Sequence, residues 1–190
     1  MSTVPSARVI AIGPALAVLM LLLAAATSPP DAQAAECRGA DAAPAKLKQR
    51  EAAKAVLCLI NRERRGHGLS PLHRQGEQAE AAGKHTKVMI RDRCFSHQCP
   101  GESDLTGRLV RADYMPCNCS WGIAENLADG DRRLGSPRRI VDAWMNSSDH
   151  RANILNRSYQ HIGVGVAWGT PSSGRDRGSA TYTTDFGYRR

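Results

Sequence analysis

The sequence lacks the compact motifs by which several classes of enzyme are recognised. It contains no HExxH metal motif, no GxSxG nucleophile turn, no glycine-rich phosphate loop and no EF-hand loop. A site built by any of these motifs is therefore not expected, and functional residues must come from separate parts of the chain. Aromatic residues make up only 5% of the sequence, and no basic run carries interleaved aromatics. A nucleic-acid-binding protein is therefore not expected either.

Long apolar runs are absent except at the N-terminus. Val9–Ala26 is apolar apart from a Gly-Pro pair, Arg8 precedes it, and small residues up to Ala34 suit a signal-peptidase site. The alternative is an uncleaved membrane anchor, because the run approaches the length of a membrane span. Cleavage predicts a secreted protein with no transmembrane segment, which we expect to be a monomer. The predicted organisation is a signal peptide over 1–34, a linker over 35–44 and one domain over 45–190.

The net charge of +8 belongs almost wholly to the predicted mature chain, because the leader contains few charged residues. Such a charge favours attraction to anionic polymers or membrane surfaces. The partners that we expect are therefore a lipid or an anionic polymer of the cell envelope.

Six cysteines in an exported chain predict three disulfides rather than metal thiolates. Cys37 and Cys58 flank a helical stretch and are expected to pair. A bridge between Cys117 and Cys119 would close a very small ring and strain the bond. The sequence therefore predicts cross-pairing, in either of two patterns, that joins the loop around His97 to the segment before Glu125. The cysteines that would cross-pair are Cys94, Cys99, Cys117 and Cys119.

Apolar residues at helical spacing predict helices over 45–65, 76–91 and 105–112. Ser136 and Pro137 suit the cap and first turn of another helix. The run from Ser147 offers a cap to a short helix with His150 near its start. The segment 122–127 is compatible with either a strand or irregular structure, and 128–135 is predicted to be a loop.

A strand is predicted over 162–168 because large and small residues alternate there. Its small face, with Gly163, Gly165 and Ala167, leaves room for a helix to pack closely. The segment 180–186 is predicted to be the return strand. Helices that come mostly first and an antiparallel hairpin that comes last indicate an α+β, three-layer α-β-α domain.

Three polar residues outside the clearest core positions are candidates for chemistry: His97, Glu125 and His150. Two imidazoles and a carboxylate can bind Zn²⁺ with an open position for water, or perform acid–base chemistry without metal. His85, inside the second predicted helix, is instead predicted to be a buried structural residue. A helix N-terminus disfavours a charged His150 whereas Asp149 favours it, so the direction of its pKa shift stays open.

Five ordered motifs together resemble the bacterial CAP (SCP-like) domain, the superfamily of cysteine-rich secretory, antigen 5 and pathogenesis-related proteins. The resemblance covers about 55–187, and the stretch from Leu59 to Arg64 is similar to the family's LxNxxR first-helix pattern. The motifs are CFSH at 94–97, AENL at 124–127, VDAWMNS at 141–147, HRANIL at 150–155 and IGVGV at 162–166.

The resemblance implies an α-β-α sandwich with a cavity lined by two histidines and two acids. His97 and His150 match the histidines, and Glu125 matches the acid of the GEN-type motif. Ser147 stands where eukaryotic members have the second acid, so no reaction is inferred. The expected function is binding of a divalent metal, such as Zn²⁺, or of a small or lipid ligand. The alternatives are a metal-dependent hydrolase and a basic structural protein of the cell envelope.

Overall fold

The structure is a computed structural model that describes residues 37–115 and 119–190. Within these ranges, helices cover both faces of a four-stranded sheet with strand order β1-β3-β4-β2. The predicted three-layer α-β-α architecture is confirmed. The helices are α1 (Gln49–Gly66), α2 (Gly76–Arg91), α3 (Leu105–Arg111), α4 (Pro137–Met145) and α5 (Ser148–Ile154), and the strands are β1 (His73–Arg74), β2 (Trp121–Asp131), β3 (His161–Trp168) and β4 (Ser179–Arg189).

The helix predicted over 76–91 is confirmed with the same bounds. The first helix begins later than predicted, because Pro44–Lys46 forms a separate 3₁₀ turn. The Lys48 backbone N–H donates to the Glu51 carboxylate at 2.9 Å, and this acid in the first turn defines where α1 starts. Ser136 precedes α4 as predicted, but its hydroxyl donates to the Arg133 carbonyl instead of capping the helix.

The segment that periodicity left undecided belongs to β2, which pairs with β4 along its whole length. The pairing runs from Trp121 opposite Arg189 to Asp131 opposite Ser179. The predicted loop over 128–135 is therefore wrong for its first four residues. Partners distant in sequence extend the strand through polar residues that carry no local strand signal.

One face of the sheet bears the main apolar core. Ile162 from β3 and Phe186 from β4 pack there with Leu59 from α1 and Trp144 from α4. Trp144 is 1% exposed, and its indole N–H donates to the Leu127 carbonyl at 2.9 Å. The core therefore ties α4 to the sheet by both packing and a buried hydrogen bond.

The opposite face of the sheet is covered by α2, which lies directly against the glycines of β3. A Cβ atom on Gly163 would overlap the backbone of Gln78, and one on Gly165 would overlap the backbone of Ala82. The close packing predicted from the small residues of β3 is confirmed.

Two residues of the LxNxxR pattern in the first helix, Asn61 and Arg64, form hydrogen bonds with backbone groups of other segments. Asn61 exchanges hydrogen bonds with the Leu72 backbone, and buried Arg64 donates to the carbonyls of Ile154 and Asn156 at 2.7 and 2.9 Å. Ile154 is the last residue of α5, where a helix leaves its carbonyls without partners of its own, and Asn156 follows two residues later. Arg64 therefore holds the short helix that carries His150.

The disulfides correct one prediction. Cys37 pairs with Cys58 as expected, but Cys94 pairs with Cys99, at a Cα–Cα distance of 5.9 Å, instead of with Cys117 or Cys119. The chain bends at Ser96, His97 and Gln98, inside this short loop, and the bend brings its two ends within bridging distance. Cys117 lies outside the described residues, as do the predicted signal peptide and the first part of the predicted linker. In the part of the chain that the structure describes, no cysteine is free.

The structure also bears on membrane insertion. Across 37–115 and 119–190, no helix combines the length and the apolar character that crossing a membrane requires.

Candidate functional site

His97 lies in the loop after α2 and contacts β2. Its Nδ1 atom is 2.8 Å from Oε1 of Glu125. The Glu125 side chain is only 2% exposed, whereas that of His97 is 63% exposed. The pair therefore consists of a buried carboxylate that orients a solvent-facing imidazole.

Arg108, on α3, holds both members of this pair. It donates from Nη2 to Glu125 Oε2 at 2.5 Å and from Nη1 to the His97 carbonyl at 2.8 Å. From the sequence, we expected disulfides to connect the His97 loop to the segment before Glu125. In the structure, the hydrogen bonds of Arg108 connect this loop to β2. Each oxygen of Glu125 has a charged or imidazole partner, so its negative charge is compensated in the interior.

His150 is positioned by two asparagines of the resembling motifs. Asn126, next to Glu125 on β2, donates to the His150 carbonyl at 3.0 Å. Asn153 donates to the Asn126 side-chain oxygen at 2.8 Å, which fixes the amide orientation. The first turn of α5 is thereby held against β2. Ser147 immediately precedes α5 and makes no side-chain capping bond.

A second carboxyl lies beside Glu125 and comes from β4. Asp185 is directly opposite Glu125 in the β2–β4 register and opposite Gly163 in the β3–β4 register. It is fully buried, no described N–H or O–H group of another residue type donates to its carboxyl oxygens, and its carboxyl group lies within hydrogen-bonding reach of that of Glu125. The site therefore contains an acid next to Glu125, although this acid is not at Ser147.

His85 completes the buried polar cluster from α2, and its predicted burial is confirmed. Its Nδ1 atom is 2.7 Å from Glu102 Oε2, and its Nε2 atom is 3.9 Å from Glu125 Oε1. The ring is 0% exposed. His85 thus links the turn that carries Glu102 to the Glu125 carboxylate.

The pKa values of the two neighbouring carboxyl groups, Asp185 and Glu125, shift in opposite directions. Burial raises the pKa of Asp185 well above its usual value, and the charge of Glu125 raises it further. Burial also acts to raise the pKa of Glu125, but the hydrogen bond with His97 and the charge of Arg108 outweigh it, and that pKa is lowered. The structure therefore favours an ionised Glu125 beside a protonated Asp185.

The pKa values of His97 and His150 shift in opposite directions. The hydrogen bond with Glu125 raises the pKa of His97, against the effect of burial. Burial lowers the pKa of His150, and the charge of His97 lowers it further, while Asp149 acts in the other direction. The direction that the sequence left open is thus downward.

Of the three candidates from the sequence, His97 contacts Glu125, and His150 lies on the helix that Asn126 holds against β2, but they do not form a set of three metal ligands. Within the described ranges, no group of three or more His, Cys, Asp or Glu side chains could hold a metal ion. Both oxygens of Glu125 are already engaged, by His97 and by Arg108. Glu125 therefore does not fit as a direct ligand, whereas it fits as the carboxylate behind a ligating histidine, which orients the ring.

Sequence reasoning missed three residues of this site: Glu102, Arg108 and Asp185. Asp185 lies in the predicted return strand, and alternation alone places it on the face opposite Phe186. The segment 122–127 of its partner strand β2 was left undecided between strand and irregular structure, so nothing indicated that Glu125 would lie beside Asp185. Arg108 gave no signal, because its role depends on the folding of the Cys94–Cys99 loop.

Comparison with known proteins agrees with this architecture. The chain is 37% identical over 117 residues to YkwD of Bacillus subtilis, an alignment that covers 59% of this chain and 41% of YkwD. It is 34% identical over 121 residues to the Bacillus subtilis membrane protein YlbC, an alignment that covers 64% of this chain and 33% of YlbC. The chain thus matches less than half the length of each of these relatives.

Solved structures show the same fold. An outer surface protein of Borrelia burgdorferi superposes with a TM-score of 0.62 at 19% identity, over 76% of this chain and 97% of that one. An extracellular SCP-domain protein of Bacillus anthracis superposes with a TM-score of 0.56 at 26% identity, over 74% of this chain and 43% of that one.

The family model described as the cysteine-rich secretory protein family, CAP, matches residues 57–184. This range includes His97, Glu125 and His150, and the β-sheet within it has the α-β-α surroundings of the solved relatives. The chain belongs to the CAP family of cysteine-rich secretory proteins.

Proposed function

We propose that this protein binds a divalent metal ion, of which Zn²⁺ is the best match, through the imidazoles of His97 and His150. The observation that supports this most is the 2.8 Å contact between His97 Nδ1 and Glu125. It fixes the ring so that Nε2 remains available on a side chain that is 63% exposed. Imidazole nitrogen is a preferred zinc ligand.

Glu125 then acts as the orienting carboxylate, and Arg108 keeps that carboxylate in place. The lowered pKa of His150 favours the neutral ring that a metal ion requires. A bound ion would supply Lewis acidity, and water would complete its coordination. With only two protein ligands, the proposed role is binding, and no catalytic reaction is assigned.

The test is calorimetric titration of Zn²⁺ into the full chain, compared with His97→Ala and His150→Ala. Each variant should lose most of the affinity. His67→Ala is the matched control, because His67 is an exposed histidine at the C-terminal end of α1, where its Nδ1 atom lies 2.9 Å from the Glu63 carbonyl oxygen. Unchanged affinity in both site variants would rule out this site.

Glu125→Gln separates an orienting role from direct ligation. Loss of a residue that orients a metal ligand typically weakens metal affinity about 10–100-fold without abolishing it. Complete loss of binding in a folded Glu125→Gln protein would instead make Glu125 a ligand.

We also propose that the protein is exported. The two disulfides of the described residues suit an oxidising compartment, and the solved relatives are an outer surface protein and an extracellular protein. Expression in the source cell with fractionation and N-terminal sequencing tests this. Mature protein outside the cytoplasm that begins near residue 35 is expected, whereas a cytoplasmic chain that retains Met1 would contradict export.

A further inference from the structure

Most of β3 is an unpaired edge of the sheet. β1 pairs only with its first two residues, His161 and Ile162, and the chain then enters α2 at Gly76. From Val164 onward, no described residue pairs with this side of β3. Such an edge presents a row of backbone donors and acceptors to any strand of suitable shape.

The direction of the bonds identifies the open groups. The Gln75 N–H donates to the Ile162 carbonyl at 2.9 Å on the β1 side, whereas the Gly169 N–H donates to the Ser179 carbonyl at 3.0 Å on the β4 side. Because bonding direction alternates along a strand, the backbone groups of Val164 and Val166 face the open edge. They have no hydrogen-bond partner within 37–115 and 119–190.

This edge forms the floor of a groove between α1 and α2. The groove has a volume of about 700 Å³, and its apolar wall includes Ala53, Leu57 and Ala79. A second groove of about 450 Å³ shares Gln49 and Lys87 with it and extends to Trp168 and the β3–β4 loop. The two together follow the open edge of β3.

The rim of the groove is strongly basic. Two acids are among the described lining residues, Glu80 and Asp176. The Glu80 carboxylate is paired with Lys84, with 2.6 Å between Oε1 and Nζ. None of the basic lining residues lies within 4.0 Å of a described carboxylate. The basic residues are Arg50, Lys54, Arg74, Lys87, Arg175 and Arg177, and all are exposed.

We propose that this groove binds an extended acidic peptide segment of a partner protein, which adds a strand beside Val164 and Val166. Backbone hydrogen bonds would give affinity, and the basic rim would select acidic side chains. The edge lies at the β3 side of the sheet, whereas Glu125 lies on β2 at the opposite side. This inference therefore does not depend on the proposed metal site.

The probe is a fluorescent peptide that alternates glutamate and valine, titrated against the full chain by anisotropy. Arg50→Glu with Lys54→Glu should weaken binding at least about tenfold, because like charges would then face each other across the groove. Arg111→Glu with Arg157→Glu is the matched control, with the same change in net charge at exposed sites outside the groove. Equal weakening by both pairs would overturn the proposal.

A separate measurement tests whether the peptide pairs with β3 through backbone hydrogen bonds. A probe methylated on alternate backbone nitrogens cannot pair, so it should bind at least about tenfold more weakly than the unmodified probe. Amide exchange at Val164 and Val166 should slow when the unmodified probe binds. Equal binding of the methylated probe, or unchanged exchange at both valines with the probe bound, would overturn the proposal. So would competition by polyphosphate as effective as that by unlabelled probe.

Discussion

The two faces of the sheet are built from alternate residues of the same strands, yet they differ in chemistry. Toward α1 and α4, the strands contribute Ile162 and Phe186, which pack around Trp144. Toward α2, they contribute Glu125 and Asp185, and the neighbours of Glu125 are the polar side chains of His85, His97 and Arg108. The face toward α1 and α4 buries apolar side chains, which stabilises the fold. The face toward α2 holds ionisable groups in an environment that shifts their pKa values.

The largest expected effect comes from breaking the apolar face. Trp144→Ala removes a fully buried indole and its hydrogen bond to Leu127, and should lower the free energy of unfolding by about 3–5 kcal/mol. Chemical denaturation measures this. Trp121→Ala is the control, because Trp121 is 44% exposed and should cost far less. Equal effects of the two substitutions would show that the apolar face does not dominate stability.

The contact between α2 and the polar face is tested next. Gly163→Ala places a methyl group against the Gln78 backbone, which cannot move without shifting α2, so we expect a loss of at least about 1–3 kcal/mol. Gly83→Ala is the matched control on α2 itself, where a Cβ meets no atom within 4 Å. It should stabilise the protein by about 0.5–1 kcal/mol. A neutral Gly163→Ala would mean that α2 does not pack closely.

Asp185→Asn tests whether the pKa of Asp185 is raised in the folded protein. Since the folded-state pKa of Asp185 is raised, its proton stabilises the fold most at low pH, and this contribution is lost as pH rises above the unfolded value of about 4. Asparagine does not ionise. The variant should therefore gain stability relative to the native protein between about pH 4 and pH 7, as measured by denaturation at both values. A constant difference would mean that the pKa of Asp185 is not shifted.

The smallest effect concerns the titration of His97 and His150. The pKa of His97 should lie above the ordinary histidine value and that of His150 below it, as followed by NMR of the imidazole resonances. The stabilising contribution of His97 is complete below its unfolded value of about 6.5 and is lost as pH rises through its folded value. Glu125→Gln should move the pKa of His97 back toward the ordinary value. No movement would exclude Glu125 as the cause.

Local pattern predicted the layers, α2 and β3, whereas the family resemblance pointed to His97, Glu125 and His150, whose shared role stays a prediction. They could do so because periodicity records which side of each element is buried. They failed where distant segments decide the outcome. β2 extends to Asp131 because β4 pairs with it, Cys94 bonds to Cys99 because the loop turns back, and Asp185 meets Glu125 through a register that no local pattern encodes.

That register has a consequence for how the chain folds. Because successive residues of a strand point to opposite faces, a slip of one residue between β2 and β4 would bring a carboxyl of one strand against the Trp144 core. An uncompensated acid there costs several kcal/mol. The pair of Glu125 and Asp185 therefore disfavours a one-residue slip between β2 and β4, because such a slip would bury a carboxyl group in the apolar layer.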